Sequence, residues 1–281
     1  MSRPDIEAAG TGATAAPLGF PVRRVPLDAP WEWLARGWRD LCKVPLISLS
    51  YGAIFTLAAW ILTFGLYLIG AESVVPVLAA GFILLGPLAA AGLYETSRRL
   101  EEGKEVTLVQ ILNLGPTAYL RLAFFGVVLF LAFFLWVLLA FFLLTVFLGG
   151  AGVPPPSELV HTLLFTNAGL GLLISGTIVG AVLATVVFSI STVAAPLLLA
   201  RDIDAVSAVA TSVRAVSLNV GPMLLWAVLI AGFMAQGLVT LFLGLVVAFP
   251  LLGHATWHAF RALVDLPEEE KTSGPRLVVQ N

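Results

Sequence analysis

From Val220 to Val264 the chain runs for 45 residues with Arg261 as its sole formally charged side chain. As one straight helix the stretch would measure about 67 Å, at roughly 1.5 Å per residue. A bilayer's hydrocarbon core is only about 30 Å thick. The stretch must therefore cross, turn and cross back. Composition agrees, since 59% of the 281 residues are hydrophobic and 11% charged, whereas a soluble domain carries about 25% charged residues. Too little charge remains for a water-soluble surface, and the chain reads as an all-α membrane protein with several spans.

The other apolar stretches repeat this plan. Asp28 to Val44 carries Trp31, Leu34, Trp38 and Leu41 at helical spacing, with Glu32, Arg36, Arg39 and Lys43 on the other face. Such a helix lies in the membrane interface, its tryptophans at headgroup depth and its basic groups toward lipid phosphate. Pro45 then opens a span to Ile69, and a return span from Val74 to about Tyr94 contains Gly86-Pro87. In a second unit, a short stripe (Val106, Val109, Leu112) precedes Gly115-Pro116 and a span from about Leu122 to Leu148. Its return span is expected near Leu172 to Leu199, after a lead-in helix and with Pro196 near its end. In the third unit Val206, Val209, Val213 and Val216 repeat the spacing of the first stripe. Gly221-Pro222 opens the fifth span, the turn falls between Gly237 and Gly244, and Pro250 sits in the sixth. The expectation is six transmembrane helices as three tandem hairpins, each preceded by an interfacial amphipathic helix.

All fifteen Lys and Arg residues lie before span one, between spans two and three or four and five, at the ends of those spans, or from Arg261 onward. The positive-inside rule then places both termini in the cytoplasm, a parity that six spans satisfy. Residues 1–27 read as a disordered N-terminal extension, 28–264 as the membrane domain and 265–281 as a disordered tail. A single cysteine, Cys42, leaves no intramolecular disulfide and no cysteine metal cluster.

His254 and His258 are four residues apart and share a helix face near the cytoplasmic end of span six. Such a pair could ligate a metal, or one of them a haem iron from one side. The plainer alternative is a pair of histidines bonded to headgroups, water or a neighbouring helix. Gln236 and Thr240, with Gly232 and Gly244, recur every fourth residue, and with Asn167 they form a polar set that either packs helices or lines a path for a solute. Gly176, Gly180 and Ala184 form a second stripe of small residues, read as a packing seam. Arg36, Arg39 and Lys43 are the expected contacts to anionic lipid headgroups. No Asp, Glu, Lys or Arg lies at mid-membrane depth, which disfavours proton-coupled carriers and voltage sensors. No phosphate-binding loop, serine-nucleophile motif or zinc-protease motif occurs. Glu95, Glu101, Glu102 and Glu105 alternate with Arg98, Arg99 and Lys104 as a solvated, self-compensating loop.

The run Gly221-Pro222-Met223-Leu224-Leu225-Trp226, the later run from Phe249 to Ala259 and the opening Trp38-Arg39-Asp40-Leu41 resemble the bacterial integral-membrane family known as domain of unknown function 2189. The resemblance covers about Val25 to Val264 and rests mainly on the C-terminal runs. It implies a multi-span protein of the bacterial cytoplasmic membrane with no established activity. Some similar proteins carry a cytochrome c oxidase label, but this chain lacks the buried histidines on several helices that such chemistry requires. The favoured expectation is a non-enzymatic bundle that binds lipid, a small solute or a partner membrane subunit, with no nucleic-acid partner and no cofactor. A haem- or metal-binding accessory subunit of a respiratory complex, using His254 and His258, is the first alternative. A passive channel or carrier is the second.

Overall fold

The computed structural model describes residues 19–113, 115–149 and 154–266. The chain enters along an extended strap, residues 19–27, and continues into α1 (Ala29–Lys43) and, after Val44, α2 (Pro45–Leu68). A 3-10 turn at Glu72–Val74 leads to α3 (Val75–Ala89) and α4 (Ala91–Glu101), then to a short α5 (Leu108–Leu112) and a long α6 (Pro116–Leu148). The remainder is α7 (Pro156–Phe165), α8 (Asn167–Ser191), α9 (Ala194–Ala200), α10 (Ala205–Leu218), α11 (Val220–Val239) and α12 (Leu245–Leu263). Pro45 and Pro116 each stand at a first helical position, where the missing N–H has no partner to lose.

Among the described residues, five helical stretches are long and apolar enough to cross a membrane: Pro45–Leu68, Glu72–Glu101, Pro116–Leu148, Asn167–Ala200 and Val220–Val239. The expected sixth, α12, is not among them. Its 19 residues include His254, Thr256, His258 and Arg261, and thirteen of them are buried inside the protein. Instead of facing lipid, α12 is the hub on which α1, α2, α4 and α11 pack. Close approach explains this. A Cβ on Gly37 of α1 would stand 2.7 Å from the Ala255 nitrogen, and one on Gly52 of α2 would stand 2.2 Å from the Val246 carbonyl oxygen. Only glycine lets these backbones touch.

The packing does not follow three consecutive hairpins. α2 lies mainly against α12, whereas α3 packs on α6 and α6 on α8. A side-chain bond fastens the second of these pairs, with Trp136 Nε1 donating to the Val77 carbonyl at 2.8 Å. The three matched prolines also behave differently. The helix breaks at Ala90, after Pro87, where the Tyr51 hydroxyl donates to the Ala89 carbonyl at 2.7 Å. It breaks again before Pro196, whose ring excludes the carbonyl four residues earlier, and the Val193 N–H donates to Ser212 Oγ at 3.1 Å. Pro250 sits within an unbroken α12.

The α11–α12 turn occupies Thr240–Gly244 and holds Leu241 and Phe242 at φ of 50° and 67°. Left-handed backbone at side chains of this size costs about 1–3 kcal/mol each. α2 compensates by bonding both carbonyls. Trp60 Nε1 donates to Leu241 O at 2.7 Å and Thr56 Oγ1 to Phe242 O at 3.2 Å.

The amphipathic faces differ from expectation. In α1 the buried face is Trp33, Leu34, Gly37, Asp40 and Leu41, while Trp31 and Trp38 are exposed on the same helix as Arg36 and Arg39. In α10 the buried face is Ala208, Thr211, Ser212 and Ala215, with Val206 and Val213 exposed. The second unit's counterpart, α5, has only five residues.

Of the expected disordered ends, residues 1–18 and 267–281 lie outside the described residues. Residues 19–27 and 265–266 are held in place, because the strap's backbone has bonding partners. Phe20 N–H donates to Thr211 Oγ1 at 3.1 Å, Val25 N–H to Asn219 Oδ1 at 2.9 Å, and Asp265 N–H to Pro21 O at 2.9 Å.

Candidate functional site

Where α1, α2, α4 and α12 meet, their side chains form one continuous polar chain inside the protein. Ser48 Oγ lies 2.9 Å from His254 Nε2, and His254 Nδ1 lies 2.8 Å from Ser97 Oγ. The Ser97 hydroxyl donates to Asp40 Oδ2 at 2.9 Å, and the same carboxylate oxygen is 2.8 Å from His258 Nε2. Ser48, Ser97 and His254 are wholly buried and Asp40 nearly so. An ionised carboxylate only accepts hydrogen bonds, so Ser97 gives Asp40 its single proton. The network thereby assigns the His254 hydrogen to Nδ1, and Nε2 accepts from Ser48. His258 donates from Nε2 to Asp40.

Burial alone would push the Asp40 carboxyl up. Its hydrogen bond and charge interaction with His258, the Ser97 hydrogen bond and a smaller contribution from His254 outweigh that and hold it below the ordinary carboxylate range. Lys43 adds a more distant cation, 3.9 Å from Oδ1. The layer continues on α4 and α12, where Trp257 Nε1 and Arg261 Nε donate to the two oxygens of Glu101 at 2.9 and 3.0 Å. Glu95 is buried and takes bonds from Arg98 and Arg99 at 2.7–2.8 Å. The expected solvated loop is therefore helical as far as Glu101, with Glu95 buried, while Glu102, Lys104 and Glu105 lie in the exposed turn beyond it.

Chemically, the chain can fix four helices in register and hold a proton at defined atoms. Ser48 and His254 also have the atoms of a nucleophile and its base. Ser48 is wholly buried, however, and does not line the cavity described below. Both ring nitrogens of His254 are occupied by serine hydroxyls, so iron or another metal there would have to displace one of them. Among the described residues no group of three or more His, Cys, Asp or Glu side chains is arranged to hold a metal ion. His254 and His258 thus share a face but have different partners, joined through Ser97 and Asp40.

Gln236, Thr240 and Asn167 are not gathered into one stripe. Asn167 opens α8 and is exposed, as is Gln236. Thr240 lies past the end of α11, where its hydroxyl donates to Gln236 O at 2.9 Å and accepts the Gly244 N–H at 2.8 Å. It closes the turn. Arg36 is exposed and paired with Glu32, Arg39 is exposed, and Lys43 projects outward at 61% side-chain exposure. Sequence reasoning missed Ser48, Ser97 and Asp40. One signal for Asp40 was present: it falls three residues after Gly37 and seven after Trp33, on the apolar face of α1.

Beside this layer lies a cavity of about 620 Å³, floored by α3 and α12 and flanked by α8 and α11. Ile83, Leu84, Trp136, Ala184, Phe188 and Ala227 are typical of its apolar walls. Thr185, Leu224 and Val228 line it and are exposed, so its rim opens to the surroundings of the spans. The small-residue stripe of α8 divides between two roles. Gly180 accommodates the Trp136 ring and Ala184 faces the cavity, while Gly176 has open space where a Cβ would stand.

Residues 74–200 match the family described as "Predicted integral membrane protein (DUF2189)". Over that stretch, less than half of the 281-residue chain, the sequence is similar to the proteins of that family. The DUF2189 stretch supplies Ser97 and the α3, α6 and α8 walls of the cavity. It contains neither the Gly221 and Phe249 runs nor the Trp38 opening on which the resemblance was first drawn. No curated protein and no solved structure matches the chain.

Proposed function

We propose that this integral membrane protein is a non-enzymatic, six-span bundle of a bacterial cytoplasmic membrane that holds the acyl tail of a bilayer lipid in the cavity between α8 and α11. The cavity carries the reading. Its volume of about 620 Å³ falls within the roughly 300–1,000 Å³ typical of small-molecule sites. Its walls are apolar, and its exposed rim lies on helices apolar enough to cross a membrane. The medium around such a rim is lipid, so an acyl tail is the ligand present at highest concentration. Arg36 and Arg39, exposed beside Trp31 and Trp38 on α1, suit contact with anionic headgroups on the cytoplasmic side.

Six spans with both termini in the cytoplasm are supported by two features. α12 has 19 residues, about 28 Å at 1.5 Å per residue, close to the bilayer core. The Lys and Arg residues all lie on one side under that topology. Single cysteines placed at Glu72 and Leu241 in a Cys42→Ser background should then react with an impermeant maleimide only from the non-cytoplasmic side. The cavity is tested by extracting lipid from protein purified in mild detergent. Wild type should retain stoichiometric phospholipid and Ala184→Phe should retain much less; equal retention would refute the acyl-tail reading.

A further inference from the structure

At the end of the bundle opposite the basic face, one carboxylate has no counter-charge. Glu72 opens the 3-10 turn after α2, and its Oε2 is buried without a hydrogen-bond partner. A buried polar atom left unpaired costs about 1–3 kcal/mol, more when charged. Every Lys and Arg of the chain lies outside the three links at this end. In those links the other acidic or imidazole side chains are Glu158 and His161, both on α7. The exposed His161 ring lies beside Phe165, with centroids 5.6 Å apart. The links themselves therefore hold no arginine or lysine to neutralise Glu72.

What surrounds the carboxylate favours a cation. Glu72 shares a groove with Trp60, Phe64 and Tyr67, which stand at i, i+4 and i+7 on one face of α2 and are all substantially exposed. Aromatic faces carry negative electrostatic potential and attract ammonium groups lying within about 6 Å of the ring. Trp60 is also fixed in place, because its indole N–H donates to Leu241 O at 2.7 Å. The groove sits at the C-terminal end of a 24-residue helix, the negative end of its dipole. Carboxylate, aromatic faces and helix end all point to one ligand charge.

We propose that this groove binds an alkylammonium group, supplied either by a phospholipid headgroup or by a free amine. The test uses the full chain in nanodiscs of phosphatidylglycerol, which has no ammonium group, with tetramethylammonium and ethylammonium as probes in saturation-transfer NMR. Wild type should show saturable transfer to at least one probe. Glu72→Gln should weaken it about tenfold or more, as loss of a charged partner does. Phe64→Leu or Tyr67→Leu should weaken it about threefold each, the scale of one cation–π contact. Repeating the titration in phosphatidylethanolamine or phosphatidylcholine discs separates the sources. Suppressed transfer identifies the headgroup as the natural occupant, and undiminished transfer identifies a free amine. Absence of transfer in phosphatidylglycerol discs overturns the proposal, as does transfer unchanged in Glu72→Gln. Thermal melting of each variant in the same discs confirms that the fold is intact.

Discussion

The polar layer around α12 and the cavity between α8 and α11 are built from neighbouring helices yet obey opposite rules. In the layer, backbones touch at Gly37 and Gly52, and the Ser48–His254–Ser97–Asp40–His258 chain bonds each member to the next. At the cavity, small side chains such as Ala184 and Ala227 leave about 620 Å³ open. The contrast teaches where this fold draws its uniqueness. Lipid is as apolar as leucine, so burying more hydrocarbon gives membrane helices little reason to choose one partner over another. Bonded polar atoms and backbone contacts do give such a reason, and both are concentrated on α12.

The sharpest way to break the comparison is to remove its centre. His254→Ala leaves Ser48 without a partner and Ser97 without the donor to its oxygen in a dry interior, and opens a hole, which should cost about 3–5 kcal/mol. Thermal melting followed by size-exclusion chromatography in detergent should show early loss of the monodisperse peak. A variant as stable as wild type would mean that the layer does not hold the helices. Gly37→Ala probes the backbone contact. Its new Cβ meets the Ala255 backbone at 2.7 Å, and overpacking of this kind costs about 1–3 kcal/mol, readable in the same assay.

Acid should weaken the layer more gently. The folded Asp40 carboxyl is held below its ordinary range, whereas the unfolded chain's titrates near about 3.9. A depressed folded value contributes stability that is present above about pH 4 and lost as pH falls through the folded value. Melting temperature should therefore fall as pH drops below about 4, and Asp40→Asn should remove that component of the drop. An equal acid response in the variant would show that other carboxylates carry it. The cavity should give the smallest stability change. Ala184→Phe points into open space and should shift stability by less than about 0.5 kcal/mol while lowering retained lipid. Strong destabilisation would mean that the cavity is packed in solution, and the contrast would fail.

Much of the architecture was legible from patterning. Apolar runs longer than a bilayer is thick, punctuated by Pro45, Pro116 and Pro222, announce membrane helices and their starts, because charge and N–H bookkeeping act locally. The turn after α11 also falls inside the interval that its glycines marked out. The site was much less legible. His254 and His258 were visible as a pair, but their partners come from residues 40, 48 and 97, and no local spacing connects those positions. Thr240 looked like a buried polar residue because the sequence does not say where α11 stops. Trp31 and Leu34 shared a stripe on paper yet divide between exposed and buried surfaces, since the width of the buried arc depends on the neighbour that covers it.

The sequence alone determined the class of solvent, the helical state of the spans and the segregation of basic residues, because each follows from the transfer energy of side chains within one segment. Tertiary structure decided that α12 is the hub, that α2 pairs with it rather than with α3, and that a cavity remains between α8 and α11. Those choices depend on which glycines and polar atoms meet across elements far apart in the chain, and hydropathy carries no record of such meetings.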